Sequence, residues 1–354
     1  MSTLSNVPIG AAPAHSAPFH PETPRLELTA SPHVHSADST MRIMWTVVIS
    51  LMPIVAASVV FFGISALLVI AAAVAGALVT ERVTGPRNTL RDGSALITGL
   101  LLGLVLPAGM PLWMPFLGGV VAIGFGKVIF GGLGQNVFNP ALVGRAFLQA
   151  AFPIAITTWP TSGSGLFALR GDNFALPLMS ASAPDVVTAA TPLGLLKFEQ
   201  TGTDLWPLLI GNTGGSLGET SALLILLCGG YLAWKRYLDW RIPVSILATT
   251  GVLSGTLWMI DGARYPDPLF MLFSGGLMLG AVYMATDMVT SPVTRAGAWI
   301  FGAGIGALVV LIRAWGGLPE GVMYAILLMN AMVPFINRWT RPRVFGTPGR
   351  RSRA

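Results

Sequence analysis

Apolar residues in this chain come in long runs and not in alternation. Ten runs stand out, at 42–62, 64–80, 94–107, 113–133, 141–153, 217–234, 242–260, 269–285, 298–312 and 322–337. A helix that crosses a bilayer needs about 20 mainly apolar residues. Several of the runs are short, and those at 94–107 and 141–153 are broken at their ends by Gly or Pro. Short spans survive in a membrane where protein or a cavity shields the loose backbone. In transporter-like folds they also point to ligand or ion sites. The pattern predicts an all-α polytopic membrane protein with about ten transmembrane helices.

Composition strengthens that reading. The 354 residues are 53% hydrophobic and 10% charged, with a mean hydropathy of +0.70. Soluble domains carry about 25% charged residues. Lys and Arg concentrate on the cytoplasmic side of membrane proteins. With the N-terminus inside, all but Arg170, Lys197, Arg264 and Arg313 of the 21 basic residues fall on the inner side. Both termini are then cytoplasmic and the long interval 154–216 lies outside. The net charge of +6 sits in loops and the C-terminal tail, so it does not indicate nucleic-acid binding. Trp45, Trp113, Trp234, Trp240 and Phe335, near span ends, read as an interfacial belt.

Candidate chemistry narrows further. The four histidines, His15, His20, His33 and His35, all precede the first apolar run, and Cys228 is the single cysteine. Neither a haem between membrane helices nor an all-cysteine iron–sulfur site can be assembled. No Gly-rich nucleotide loop follows a strand, so no NADH site is expected in this chain. Any electron carrier here is expected to be organic.

The layout divides at those boundaries. Residues 1–41 form a polar cytoplasmic segment rich in Pro, Ser, Ala and His, without a secretory signal pattern. A first five-helix unit covers 42–153, the extracytoplasmic loop 154–216, a second five-helix unit 217–337, and a basic cytoplasmic tail 338–354. Thr98–Gly103 is echoed by Ser274–Gly280. With an odd number of spans per half, the two units form inverted repeats.

Polar groups inside the apolar runs are the candidate sites. Carboxylates at membrane depth are costly and usually pair or face a cavity. Glu219 opens the sixth run and Asp287 closes the eighth, so both are candidates for ion coupling; the plainer alternative is a loop anchor at a helix end. Asn136 and Asn139 flank Phe138 before Pro140, a loop suited either to lining a cofactor or ion path or simply to packing. Lys127 and Arg145 fall in the inner half of the fourth and fifth runs. They either snorkel to the interface or bind an anionic lipid or a cofactor phosphate. In Asp185-Val186-Val187-Thr188-Ala189-Ala190-Thr191-Pro192-Leu193, the plain reading makes Thr191 a helix N-cap with Pro192 at the first helical position.

That last stretch resembles a flavin-attachment motif. Asp185, Thr188, Ala189, Ala190 and Thr191 resemble the pattern shared by the D subunit of the Rnf electron-transport complex and the B subunit of the sodium-pumping NADH:quinone reductase. The commoner form has Ser and Gly at the places of Thr188 and Ala189. The resemblance extends to Ser31-Pro32-His33, Asp92-Gly93-Ser94-Ala95, Asn136–Ala141, Leu217–Ser221, Trp240–Pro243, Ala285–Pro292, Pro319–Val322 and Asn330. It spans roughly 31–340, and length and loop size favour the Rnf branch.

The resemblance implies FMN joined through its phosphate to the Thr191 hydroxyl by a separate transferase on the outer side, with Thr188 and Asp185 as motif neighbours. A second, non-covalent flavin such as riboflavin is a further candidate. Implied partners are iron–sulfur, NAD-binding and second FMN-bearing Rnf subunits, in a bacterial cytoplasmic (inner) membrane and in contact with its lipid. The implied activity couples ferredoxin/NAD electron transfer to sodium or proton movement, and the chain is not catalytic alone. The B subunit of the quinone reductase and a small-solute channel or transporter remain the competing readings.

Overall fold

The computed structural model describes residues 38–85, 89–160, 165–167, 169–177, 191–199, 205–211, 214–219, 221–262 and 264–342. Asp185, Thr188 and the four histidines lie outside the described residues.

Each of the ten apolar runs carries a helix. Ser39 opens α1 (Thr40–Phe62), its side chain accepting from Arg42 N at 3.2 Å. Gly63, at φ 72°, turns the chain into α2 (Ile64–Thr84). There follow α3 (Ser94–Leu104), α4 (Trp113–Ile123, prolonged by a π-turn Gly124–Val128) and α5 (Pro140–Ala151). The second half has α6 (Ala222–Trp234), α7 (Arg241–Ile260), α8 (Pro268–Phe273), α9 (Leu277–Leu279, prolonged by a π-turn Gly280–Met284), α10 (Arg295–Trp315) and α11 (Val322–Trp339). Helices α1, α2, α7, α10 and α11 are long and apolar enough to cross a membrane unaided; α3, α4 and α6 are shorter apolar helices.

Two differences from the sequence reading have local causes. The sixth helix starts at Ala222 and not at 217, because the Leu217 and Gly218 amides donate outward to Leu106 O (3.2 Å) and Leu104 O (2.6 Å). Glu219 therefore sits in the loop before the helix. The eighth run is broken at Ser274-Gly275-Gly276, where Gly275 takes φ 66°.

Packing repeats between the halves. Helix α2 packs on α3 and α4, and α7 packs on α8 and α10; α4–α5 and α10–α11 pack similarly. Across the halves, α1 meets α6 and α5 meets α11. Small residues let the backbones close in, as in membrane helix pairs generally. A Cβ on Gly119 would lie 2.3 Å from Ala73 O, and one on Gly306 2.8 Å from Ile246 O. Large apolar side chains such as Ile49, Val83, Val252 and Met259 remain exposed, as suits helices facing lipid.

The connections gather at two ends. At one end, Arg170 donates to Phe61 O, Leu166 O accepts from Ile64 N, and Asn173 donates to Ala108 O and Met110 O. At the other, Trp45 donates to Arg91 O, Asn139 to Met284 O, and Val293 N to the Asn337 side chain.

Candidate functional site

Thr191 is an N-cap in this fold, as the plain reading expected. Its Oγ1 accepts from Gly194 N at 3.1 Å, and Pro192 takes the first helical position, where a missing N–H costs nothing. The turn continues as Leu195–Glu199 and is tied down by Lys197. The Lys197 ammonium donates to Arg313 O (3.3 Å), Gly316 O (2.5 Å) and Leu318 O (2.9 Å). These carbonyls belong to the C-terminal end of α10, where orphan acceptors need partners and a cation is favoured. Burial holds the Lys197 amine below its ordinary pKa.

Thr191 is 7% exposed yet borders two cavities. The larger, about 1050 Å³, is shared with Arg145, Gln149, Trp159, Phe198 and Leu318. It offers two aromatic rings, an amide and a guanidinium beside the threonine hydroxyl. The smaller, about 310 Å³, connects Thr191 with Ser216, Glu219 and Gly275.

A buried charge cluster surrounds these cavities at the break of the eighth run. Arg145 Nη2 lies 2.7 Å from Glu320 Oε2, and Glu320 Oε1 accepts from Gly276 N at 3.3 Å. Arg313 donates to Met271 O (2.6 Å) and Ser274 O (3.0 Å), satisfying carbonyls freed where α8 ends. Burial pushes the Glu320 carboxyl up, but Arg145, then the hydrogen bond from Glu219, then Arg313 outweigh it and hold the group below its ordinary value. Glu219 faces Glu320 and accepts from Ser216 N at 3.4 Å. Gly275 leaves no room for a side chain, since a Cβ there would sit 2.6 Å from Leu193 and 2.9 Å from Glu320 Oε1. Among the described residues, Arg145 Nε, Arg313 Nε, Ser216 Oγ and Ser274 Oγ are buried there without a hydrogen-bond partner.

Asp287 belongs to a different site, at the opposite end. Its carboxylate accepts from Val289 N (3.2 Å) and Thr290 Oγ1 (3.3 Å), the loop-anchor geometry expected as the plain alternative. It also borders a cavity of about 810 Å³ with Lys127, Asn136, Asn139, Thr98 and Tyr283. Asn139 caps α5 by accepting from Ala141 N (3.0 Å) and Leu142 N (3.3 Å), and donates to Met284 O at 3.1 Å. Glu219 and Asp287 are thus not brought together.

Neither basic residue of the first half snorkels. Lys127 is buried, with Glu81 oxygens at 2.7 and 2.8 Å and Ser94 Oγ at 2.7 Å. Ser94 in turn donates to Asp92 Oδ1 at 2.6 Å. Arg145, placed in the inner half by sequence, is paired to a carboxylate of the loop after α10, at the Thr191 end. Sequence reasoning does not single out Glu81 and Glu320 as partners, although the cost of an unpaired acid in an apolar run is a usable signal. Among the described residues no cluster of His, Cys, Asp and Glu could hold a metal ion.

The chain is 43% identical over 334 residues to the D subunit of a proton-translocating ferredoxin:NAD(+) oxidoreductase complex of Clostridium ljungdahlii, covering 90% of this chain and 96% of that one. It is 40% identical over 329 residues to the D subunit of a Na(+)-translocating ferredoxin:NAD(+) oxidoreductase complex of Acetobacterium woodii, covering 91% and 95%. It is 43% identical over 332 residues to the D subunit of an ion-translocating oxidoreductase complex of Stutzerimonas stutzeri, covering 88% and 94%. A model of the NQR2, RnfD, RnfE family matches residues 27–346. With nearly the whole chain inside that match, the chain belongs to the NQR2, RnfD, RnfE family.

Proposed function

We propose that this chain is the D-type membrane subunit of an Rnf-like ferredoxin:NAD oxidoreductase complex, and that it carries electrons on FMN esterified to Thr191. The observation that carries the flavin assignment is the position of Thr191. The last Thr of the motif borders a cavity of about 1050 Å³ that holds Trp159, Phe198, Gln149 and Arg145. Those side chains fit a flavin: aromatic faces for stacking, an amide for the polar edge, and a cation for an electron-rich group. FMN supplies one- and two-electron chemistry, while the protein supplies position and electrostatics. Lys197 anchors the turn that bears Thr191.

The cavity bordered by Lys127, Asn136, Asn139 and Asp287, about 810 Å³, is the proposed seat of a second, non-covalent flavin such as riboflavin. Asp287 at that end and Glu219 at the other are the proposed ion-coupling carboxylates. The relatives named above are described as moving protons or sodium ions. Iron–sulfur, NAD-binding and second FMN-bearing subunits are the proposed partners, with membrane lipid around the exposed apolar faces.

Ten spans in two inverted five-helix repeats remain our reading of the architecture. The parallel pairings α2–α4 and α7–α10 support it. The concentration of Lys and Arg on one side of the spans supports both termini lying in the cytoplasm of a bacterial inner membrane, with the Thr191 loop outside. The competing reading is a small-solute carrier, favoured by the broken eighth span. Colour separates the two: the chain purified from its complex is expected to be yellow, with the colour surviving denaturation. A colourless chain from active complex would remove the flavin assignment.

A further inference from the structure

We propose that Arg145, its charge offset by Glu320, sets the reduction potential of the group carried on Thr191; this rests on the flavin reading above and names the pair of residues that tunes it. Among the described residues bordering the larger cavity, Arg145 and Glu320 are the only charged ones. The rest of the lining is largely aromatic, aliphatic or backbone, and the two charged side chains are mostly withdrawn from solvent, at 10% and 17% exposure, so each changes the local potential more than a surface charge would.

The pair is assembled from distant parts of the chain. Arg145 projects from the middle of α5, and Glu320 sits 175 residues later in the loop before α11. Arg145 is 8% exposed, its Nη2 is 2.7 Å from Glu320 Oε2, and its Nε has no hydrogen-bond partner. Glu320 is fixed from its other side by Gly276 N. A buried ion pair is weak evidence for stability, because desolvation offsets its attraction. Its place beside Thr191 gives it a second role.

Reduction adds electrons to the flavin ring, and protons follow only in part. A guanidinium beside the ring favours the reduced form, whereas a carboxylate opposes it. The Arg145–Glu320 pair sets the balance between these effects: Glu320 lies 2.7 Å from the guanidinium and offsets its charge, so removing the carboxylate leaves Arg145 uncompensated. The two groups therefore have opposite signs, which a merely structural role would not produce.

The test is a stepwise dithionite titration, with redox mediators, of the full-length chain co-expressed with its flavin transferase. Absorbance of the attached flavin is followed, and in-gel fluorescence after denaturation is recorded first for every variant. Arg145→Gln is expected to lower the midpoint and Glu320→Gln to raise it. Each shift should change the reduced-to-oxidised ratio at fixed potential by at least about tenfold, roughly 30 mV for a two-electron couple. Arg145→Lys should stay near wild type. If Arg145→Gln does not assemble, the upward shift in Glu320→Gln decides the matter alone. Unchanged midpoints with flavin attached, or shifts of the same sign, would overturn the proposal while leaving the attachment intact. Wild-type chain without fluorescence would overturn the flavin reading and this one with it.

Discussion

Lys197 and Gly316 are joined across 119 residues of sequence by a 2.5 Å hydrogen bond from the lysine ammonium to the glycine carbonyl. The same ammonium reaches Arg313 O and Leu318 O, so one side chain both closes the C-terminal end of α10 and fixes the turn carrying Thr191. Lys197→Met removes all three bonds. Because the group is partly solvated, the expected loss is about 1 kcal/mol, a fall of a few degrees in the thermal midpoint of the detergent-solubilised chain. Faster proteolysis near 191–199 should accompany it. An unchanged midpoint together with unchanged protease resistance would mean that the turn is held by other contacts.

The Lys127–Glu81 pair permits a sharper stability test. Both side chains are nearly solvent-free, at 5% and 3% exposure. Removing one partner strands the other, which typically costs about 3–5 kcal/mol. Glu81→Leu and Lys127→Met should each destabilise strongly in a thermal-unfolding assay. The double variant Glu81→Leu/Lys127→Met should recover much of the loss. A double variant as unstable as the sum of the singles would contradict the pairing.

Glycine at 275 is required for two reasons. Its φ of 66° favours glycine, and a Cβ would meet Leu193 and Glu320. Gly275→Ala should cost about 2 kcal/mol or more from left-handed strain and crowding together, and should reduce flavin incorporation. Gly230 in α6 provides the contrast, since a Cβ there meets nothing within 4 Å. Gly230→Ala should be neutral or stabilising by about 0.5–1 kcal/mol. Equal effects at both positions would argue against the crowding described around the helix break.

Ion coupling is tested at two separated carboxylates. Asp287→Asn and Glu219→Gln keep side-chain size and remove the titratable carboxyl. In inverted membrane vesicles, at least one of them is expected to lower ion movement per electron while electron transfer continues. Unchanged coupling in both would leave Asp287 as the anchor of Val289 and Thr290 and Glu219 as a loop contact.

The helices are legible in the sequence because apolarity over a long window is a local property. Ser274-Gly275-Gly276 is visible there as small residues, and the structure turns them into a helix break. The capping role of Thr191 follows from Thr-Pro alone. The charge pairs are not legible. Arg145 meets Glu320 over 175 residues and Lys127 meets Glu81 over 46, and no local pattern encodes which acid a buried base will find. Snorkelling, the default for an isolated cation, loses here to a buried partner. Hydropathy misplaces the start of α6 because it does not reveal that the Leu217 and Gly218 amides pair with the end of α3.

The most direct measurement is the mass of the proteolytic peptide containing Thr191, taken from chain in active complex. The account predicts a peptide heavier by FMN less water, with fragmentation placing the addition on Thr191. Thr191→Val should abolish in-gel flavin fluorescence, and Thr188→Val should reduce it at most in part. A peptide found wholly unmodified in active complex would contradict the account and leave Thr191 as the cap of Gly194 and nothing more.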